Sequence, residues 1–113
     1  MTLDFRLKKE KDFNLVFNKG KRLYSKCLTV VYFPSNSLKA GFAVSKKHGK
    51  SVKRNRIKRL LRESFRSFMP SFRQNFFFVF IPKVSENLSL DLVKSEMEYI
   101  LNKAKAFIEE ENA

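Results

Sequence analysis

The chain has 113 residues, 43% of them hydrophobic, with 13 Phe and no Trp, which is the composition of one globular domain spanning residues 1–113 rather than of a disordered tail or two domains. A formal net charge of +13 points to an anionic partner and argues against an acidic or neutral one. No apolar run is long enough to span a bilayer, and the N-terminal MTLDFRLKKEKDF lacks the continuous apolar core of a signal peptide, so the expected location is cytoplasmic.

Helical spacing of Phe13, Val16 and Phe17 predicts a first helix within Lys8 to Asn18, and Gly20 follows where a helix C-cap favours positive φ. From Leu23 to Phe33 the chain turns β-branched and aromatic, which reads as one strand or as two pairing segments. Pro34-Ser-Asn-Ser37 supplies turn chemistry, and Leu38 to Ser45 reads as the next strand, the two forming a hairpin. Within the first strand, Cys27 reads as a buried thiol, and a single cysteine cannot form an intramolecular disulfide.

After the basic loop Lys46-Lys-His-Gly-Lys50, Ser51 is placed to cap a helix that ends before Pro70. Ile57, Leu60, Leu61, Phe65 and Phe68 recur at helical spacing along it. Phe76-Phe-Phe-Val-Phe-Ile81 is a strand apolar on both faces, which predicts either cover on both sides or one face used for binding. Val93, Met97, Ile100, Leu101, Ala104 and Ile108 then mark a long helix beginning near Ser89. The predicted order is α-β-β-β-α-β-α, an α/β two-layer sandwich with helices stacked on a small mixed sheet.

The helix from Ser51 to Arg66 carries seven cations and one acid in sixteen residues. Arg54, Asn55, Lys58, Arg59, Arg62 and Arg66 project to one side, and Ile57, Leu60, Leu61 and Phe68 to the other. A solvated helix face would interleave acids as i,i+4 partners, yet Glu63 is the only acid between Lys46 and Arg73. Such repulsion is relieved by phosphates placed among the cations, with release of condensed counterions. A membrane-surface helix would need its apolar side free, and here that side is the natural partner of Phe76 to Ile81. Aromatics such as Phe13, Phe17, Tyr24 and Tyr32 suit stacking of unpaired bases, with core packing as their alternative.

The run Val44-Ser-Lys-Lys-His-Gly-Lys-Ser-Val-Lys-Arg-Asn-Arg-Ile-Lys-Arg-Leu-Leu-Arg-Glu63, centred on Arg54-Asn55-Arg56, resembles the signature of the bacterial ribonuclease P protein subunit. Leu7 to Gly20 resembles the first helix of that family. The resemblance implies a ribosomal-protein-like α/β sandwich with a left-handed β-α-β crossover, against the usual right-handed preference. It also implies a protein cofactor of the ribonucleoprotein that removes the 5′ leader from precursor tRNA. Lys46, Lys47, Lys53, Arg54, Asn55, Arg56, Lys58, Arg59 and Arg62 would then bind the catalytic RNA, and Phe13, Phe17, Thr29 and Val31 the single-stranded leader. Lys83 is the nearest cation where the family often carries an Arg after the last strand.

Catalysis would reside in the RNA with its magnesium, the protein itself having no catalytic residue, no cofactor, no bound metal and no obligate protein partner. The alternatives are a ribosomal protein or general RNA chaperone, and a protein-only nuclease using Asp4, Glu10, Asp12 and His48. His48 reads as a loop residue without a positioned partner, and Cys27 with His48 has no zinc-site spacing.

Overall fold

In the computed structural model, residues 5–72, 75–84 and 88–104 are described. Helix α1 spans Glu10–Lys19, strands β1 and β2 span Lys21–Tyr24 and Leu28–Pro34, and β3 spans Lys39–Phe42. A 3-10 turn at Lys46–His48 leads into α2 (Ser51–Phe68), followed by a second such turn at Met69–Ser71, β4 (Phe76–Pro82) and α3 (Leu90–Lys103).

The four strands lie in the order β1-β2-β4-β3. The tight connection at Ser25–Cys27 makes β1 and β2 an antiparallel hairpin, with Lys21 opposite Tyr32 and Tyr24 opposite Thr29. In place of a second hairpin between β2 and β3, β4 is inserted between them, antiparallel to β2 and parallel to β3. The reason lies in its side chains. Phe76, Phe77, Phe78, Val79 and Phe80 are all buried, so this strand belongs at the centre of the sheet, where both faces are covered. Beyond β3 the chain adds a short extension: Ala40 donates to the Phe5 carbonyl at 2.8 Å and accepts from the Leu7 amide at 2.9 Å.

Strand alternation sorts the core into two clusters. Leu28, Val30, Ala40, Phe76, Phe78 and Phe80 face α2 and α3, meeting Ile57, Leu61, Phe65, Val93, Met97, Ile100 and Leu101. Phe65 is the hub, with ring centroids 5.8 Å from Phe78 and 5.7 Å from Phe80 in edge-on geometry. Each such fully buried ring contributes about 2–3 kcal/mol by removal from water. Val31, Phe77 and Val79 face the other way, under Val16 of α1 and Leu7. The two-layer expectation therefore describes only the α2/α3 side, since α1 adds a partial third layer on the opposite face.

Two local expectations are corrected. Gly20 has φ −78° and ψ 164°, an extended conformation open to any residue. It is small because the chain turns from α1 into β1 against its neighbours: a Cβ there would lie 2.5 Å from the Val16 carbonyl oxygen and 2.8 Å from that of Tyr32. Ser51 is the first residue of α2 rather than its cap, and the cap position, Lys50, makes no side-chain capping bond. The capping is displaced to the preceding turn, where the Ser45 hydroxyl accepts from the Lys47 amide. Gly49, at φ +120°, then redirects the chain into the helix in the left-handed region that favours glycine. Ser89 caps α3 as expected, accepting from the Leu92 amide at 3.2 Å. Ile108 lies outside the described residues.

Candidate nucleic-acid interface

The amphipathic pattern of α2 segregates as the sequence requires. Ile57, Leu61, Ser64 and Phe65 are buried against the sheet and α3. Lys53, Asn55, Arg56 and Arg59 are exposed, and Arg54, Lys58 and Arg62 are half-buried along the flanks. Lys46 and Lys47, both exposed, sit in the 3-10 turn immediately before the helix, so all nine residues belong to one continuous turn and helix.

Several of these side chains are held in place. Arg54 donates from Nε to the Gly49 carbonyl at 3.1 Å and from its guanidinium to Ser51 Oγ at 3.2 Å, which fixes it across the helix entrance. Arg56 reaches the other way, donating to the Leu88 carbonyl at 3.3 Å, and so fastens the start of the α3 segment to α2. Arg62 Nε is buried without a hydrogen-bond partner among the described residues.

His48 proves structural. It is 6% exposed, and Nε2 lies 2.7 Å from the Pro82 carbonyl while Nδ1 lies 3.2 Å from the Ser45 amide. A neutral ring with its proton on Nε2 satisfies both bonds: Nε2–H donates to Pro82, and Nδ1 accepts from Ser45. With both nitrogens engaged, His48 pins the basic turn to the end of β4. Glu10 and Asp12 stand instead in the first turn of α1, where acids complement the helix dipole. Asp4 lies outside the described residues. Among the described residues no group of three or more His, Cys, Asp or Glu is gathered closely enough to hold a metal ion.

The second set of predicted residues occupies the opposite face of the sheet. Phe13 and Phe17 are half-buried on α1. The Phe13 ring packs over Gly41 of β3, and Arg22 of β1 stands 5.8 Å from the Phe17 ring centroid, so α1 runs across the face from β3 toward β1. Val31 is fully buried beneath it, so its side chain supports the helix rather than presenting a surface. Thr29, 9% exposed, lies one row further along and pairs with Tyr24 on one side and Ile81 on the other.

Ala43, whose amide donates to the Phe80 carbonyl, continues that row beyond β3. Tyr24, Thr29, Ile81 and Ala43 thus form a strip along the α1 side, and Ala43 leads directly into Ser45 and the basic turn. Ile81 and Ala43 were not singled out from the sequence, although alternation along Phe77, Val79 and Ile81 contained the signal.

Cys27 is half-buried beside α3, its backbone amide donating to Glu96 Oε1 at 3.0 Å. Burial, followed by the negative charge of Glu96, raises the thiol pKa, the reverse of what a nucleophile needs. Lys83 Nζ donates to the Ser25 carbonyl at 2.8 Å, tying the exit of β4 to the β1–β2 turn.

Comparison with known proteins agrees with this architecture. A ribonuclease P family model matches residues 1–105. The ribonuclease P protein component of Caldanaerobacter subterraneus is 38% identical over 110 residues, covering 94% of each chain, and that of Finegoldia magna is 36% identical, covering 92% of this chain and 94% of its own. Among solved structures, the Staphylococcus aureus ribonuclease P protein superposes with a TM-score of 0.84 at 26% identity, covering 94% of this chain and all of the other. The Thermotoga maritima protein gives 0.78 at 28% identity, covering 87% and 96%. The chain belongs to the family of ribonuclease P protein components, subunits of an endoribonuclease holoenzyme.

Proposed function

We propose that the chain acts as a single cytoplasmic domain that binds the catalytic RNA of ribonuclease P through its basic turn and helix, and holds the 5′ leader of precursor tRNA in the cleft beside α1. Lys46, Lys47, Lys53, Arg54, Asn55, Arg56, Lys58, Arg59 and Arg62 take phosphates of the catalytic RNA. Phe13, Phe17 and Thr29 take the leader, with Val31 supporting them from beneath. The observation that carries this reading is the continuity of the two surfaces: the Tyr24–Thr29–Ile81–Ala43 strip ends where the basic turn begins.

In this arrangement phosphodiester hydrolysis belongs to the RNA, with magnesium as its metal. The protein's residues supply cation density that neutralises phosphate repulsion where two RNAs converge, and a half-open apolar floor on which unpaired bases stack. Family membership further supports the left-handed path for the β3–α2–β4 connection, which here joins adjacent parallel strands.

The test compares Phe17→Ala and Phe17→Leu in holoenzyme reconstituted with a bacterial ribonuclease P RNA. Loss of the flat ring should reduce the preference for precursor over mature tRNA by roughly tenfold in both variants while leaving affinity for the catalytic RNA intact. Equal loss of both affinities in the packing-conserving Leu variant would make Phe17 a core residue and contradict the leader assignment.

A further inference from the structure

Among the described residues Tyr24 and Tyr99 are the exposed aromatic side chains, the other rings being buried or half-buried. Tyr24 is 57% and Tyr99 52% exposed, and both line one open depression of about 520 Å³ at the β1 edge of the sheet, together with Ser25, Lys26 and Glu96. That volume lies in the range of small-ligand sites. Lys103 Nζ stands 5.3 Å from the Tyr99 ring centroid, and Lys26 is exposed at the rim. Among the described residues that line the depression, the acid Glu96 has a carboxylate oxygen committed to the Cys27 amide. Cations at the rim and aromatic faces beside them are the chemistry of single-stranded RNA binding, in which bases stack and phosphates meet Lys.

Position tells which RNA. Tyr24 stands directly opposite Thr29 in the β1–β2 ladder, so it ends the strip that floors the cleft. Among the described residues β1 is the edge of the sheet and no strand separates Tyr24 from the rim where α3 presents Tyr99. The other end of the strip, at β3, opens on the basic turn assigned to the catalytic RNA. A strand threaded from that turn across Thr29 therefore meets Tyr24 and Tyr99 last.

We propose that Tyr24 and Tyr99 form a second stacking subsite for single-stranded RNA, which takes leader nucleotides farther from the cleavage point than those in the cleft, with Lys26 and Lys103 at their phosphates. The proposal rests on the leader reading above. It gives the protein a reason to favour long leaders over short ones without any base-specific contact.

The experiment measures affinity of reconstituted holoenzyme for precursor tRNAs with leaders of about 4 and about 12 nucleotides, within the span that single-strand-binding domains cover. The double variant Tyr24→Ala with Tyr99→Ala should weaken binding of the long-leader substrate by roughly tenfold or more, leave the short-leader substrate unchanged, and be rescued by Tyr24→Phe with Tyr99→Phe. Both rings are exposed, so thermal unfolding should be unaltered. Equal loss with both leaders, no loss with either, or failure of the Phe pair to rescue would overturn the subsite. Phe17→Ala run in parallel separates the two claims. If it weakens precursor binding while the tyrosine variant does nothing, only the subsite falls; if neither variant distinguishes precursor from mature tRNA, the leader reading falls with it.

Discussion

His48 and Pro82 are joined by a 2.7 Å hydrogen bond that ties the basic turn to the last residue of the central strand. Because the ring is buried, removing it leaves the Pro82 carbonyl and the Ser45 amide without their partner. His48→Ala should therefore cost about 1–3 kcal/mol of stability, the desolvation penalty of such groups, and should loosen Lys46 and Lys47. Chemical denaturation and catalytic-RNA affinity should fall together. A variant as stable as wild type would show that the bond contributes nothing to the fold.

Gly20 is constrained by space rather than by backbone angle. A methyl group at this position would meet two backbone oxygens within 2.8 Å, neither free to rotate away, so Gly20→Ala should destabilise the fold by roughly 2 kcal/mol through displacement of α1 from β2. The midpoint of denaturant unfolding measures this. An unchanged midpoint would mean the α1–β1 corner adjusts freely.

The cations of α2 should act through phosphates. Arg54→Ala with Arg59→Ala should lower affinity for the catalytic RNA and reduce the steepness of its dependence on log salt by ~1 per lost contact. Arg56 is the poorer choice, since its guanidinium also holds the Leu88 carbonyl. A parallel drop in affinity with no change in salt slope would place these arginines outside the RNA contact.

Glu96 carries a pH dependence of its own. The Ser25 hydroxyl does most to hold its pKa below the ordinary value; burial opposes it as the next largest effect, and the Cys27 and Lys26 amides and the Lys26 charge add to the lowering. A depressed folded pKa stabilises the fold above the unfolded value of about 4.3 and loses that contribution as pH falls through the lower folded value. The group is largely solvated, so the effect is small. Glu96→Gln should lower stability slightly at neutral pH, change it little below the folded pKa, and so flatten the acid limb of the stability curve; an identical acid limb would show that the β1–β2 turn gains nothing from the charge.

Much of this architecture is legible from residue pattern. Periodicity located α2 and α3 because Ile57, Leu61, Phe65, Val93, Met97 and Ile100 serve one buried face each, and the Phe76–Ile81 run announced a strand with two apolar faces, leaving open whether both are covered or one is used for binding. The partner of β3 was not legible. Sequence adjacency favours a β2–β3 hairpin, whereas burying both faces of β4 inserts it between them, a decision made by tertiary packing alone.

The same limit governs the site. The cations of α2 could be placed on one helix from the sequence, because seven of them beside a single acid exceed what ion pairing within the helix can use. The second use of Arg56, as a tether to the Leu88 carbonyl, needed the fold. Val31 needed it too, since a β-branched residue on a strand looks alike whether a cleft or a helix lies above it. Gly20 likewise reads in the sequence as a C-cap of positive φ, whereas what it has to be is small, and the Val16 and Tyr32 carbonyls that require this are brought there by the fold.

The central claim is that this chain is a binding subunit whose catalytic partner is RNA. Cleavage of precursor tRNA at low magnesium tests it in three mixtures: the protein alone, a bacterial ribonuclease P RNA that accepts foreign protein subunits alone, and the two combined. Correct 5′ processing only in the combined mixture is the result predicted; cleavage by the protein alone, or no rescue of the RNA by it, would contradict the account.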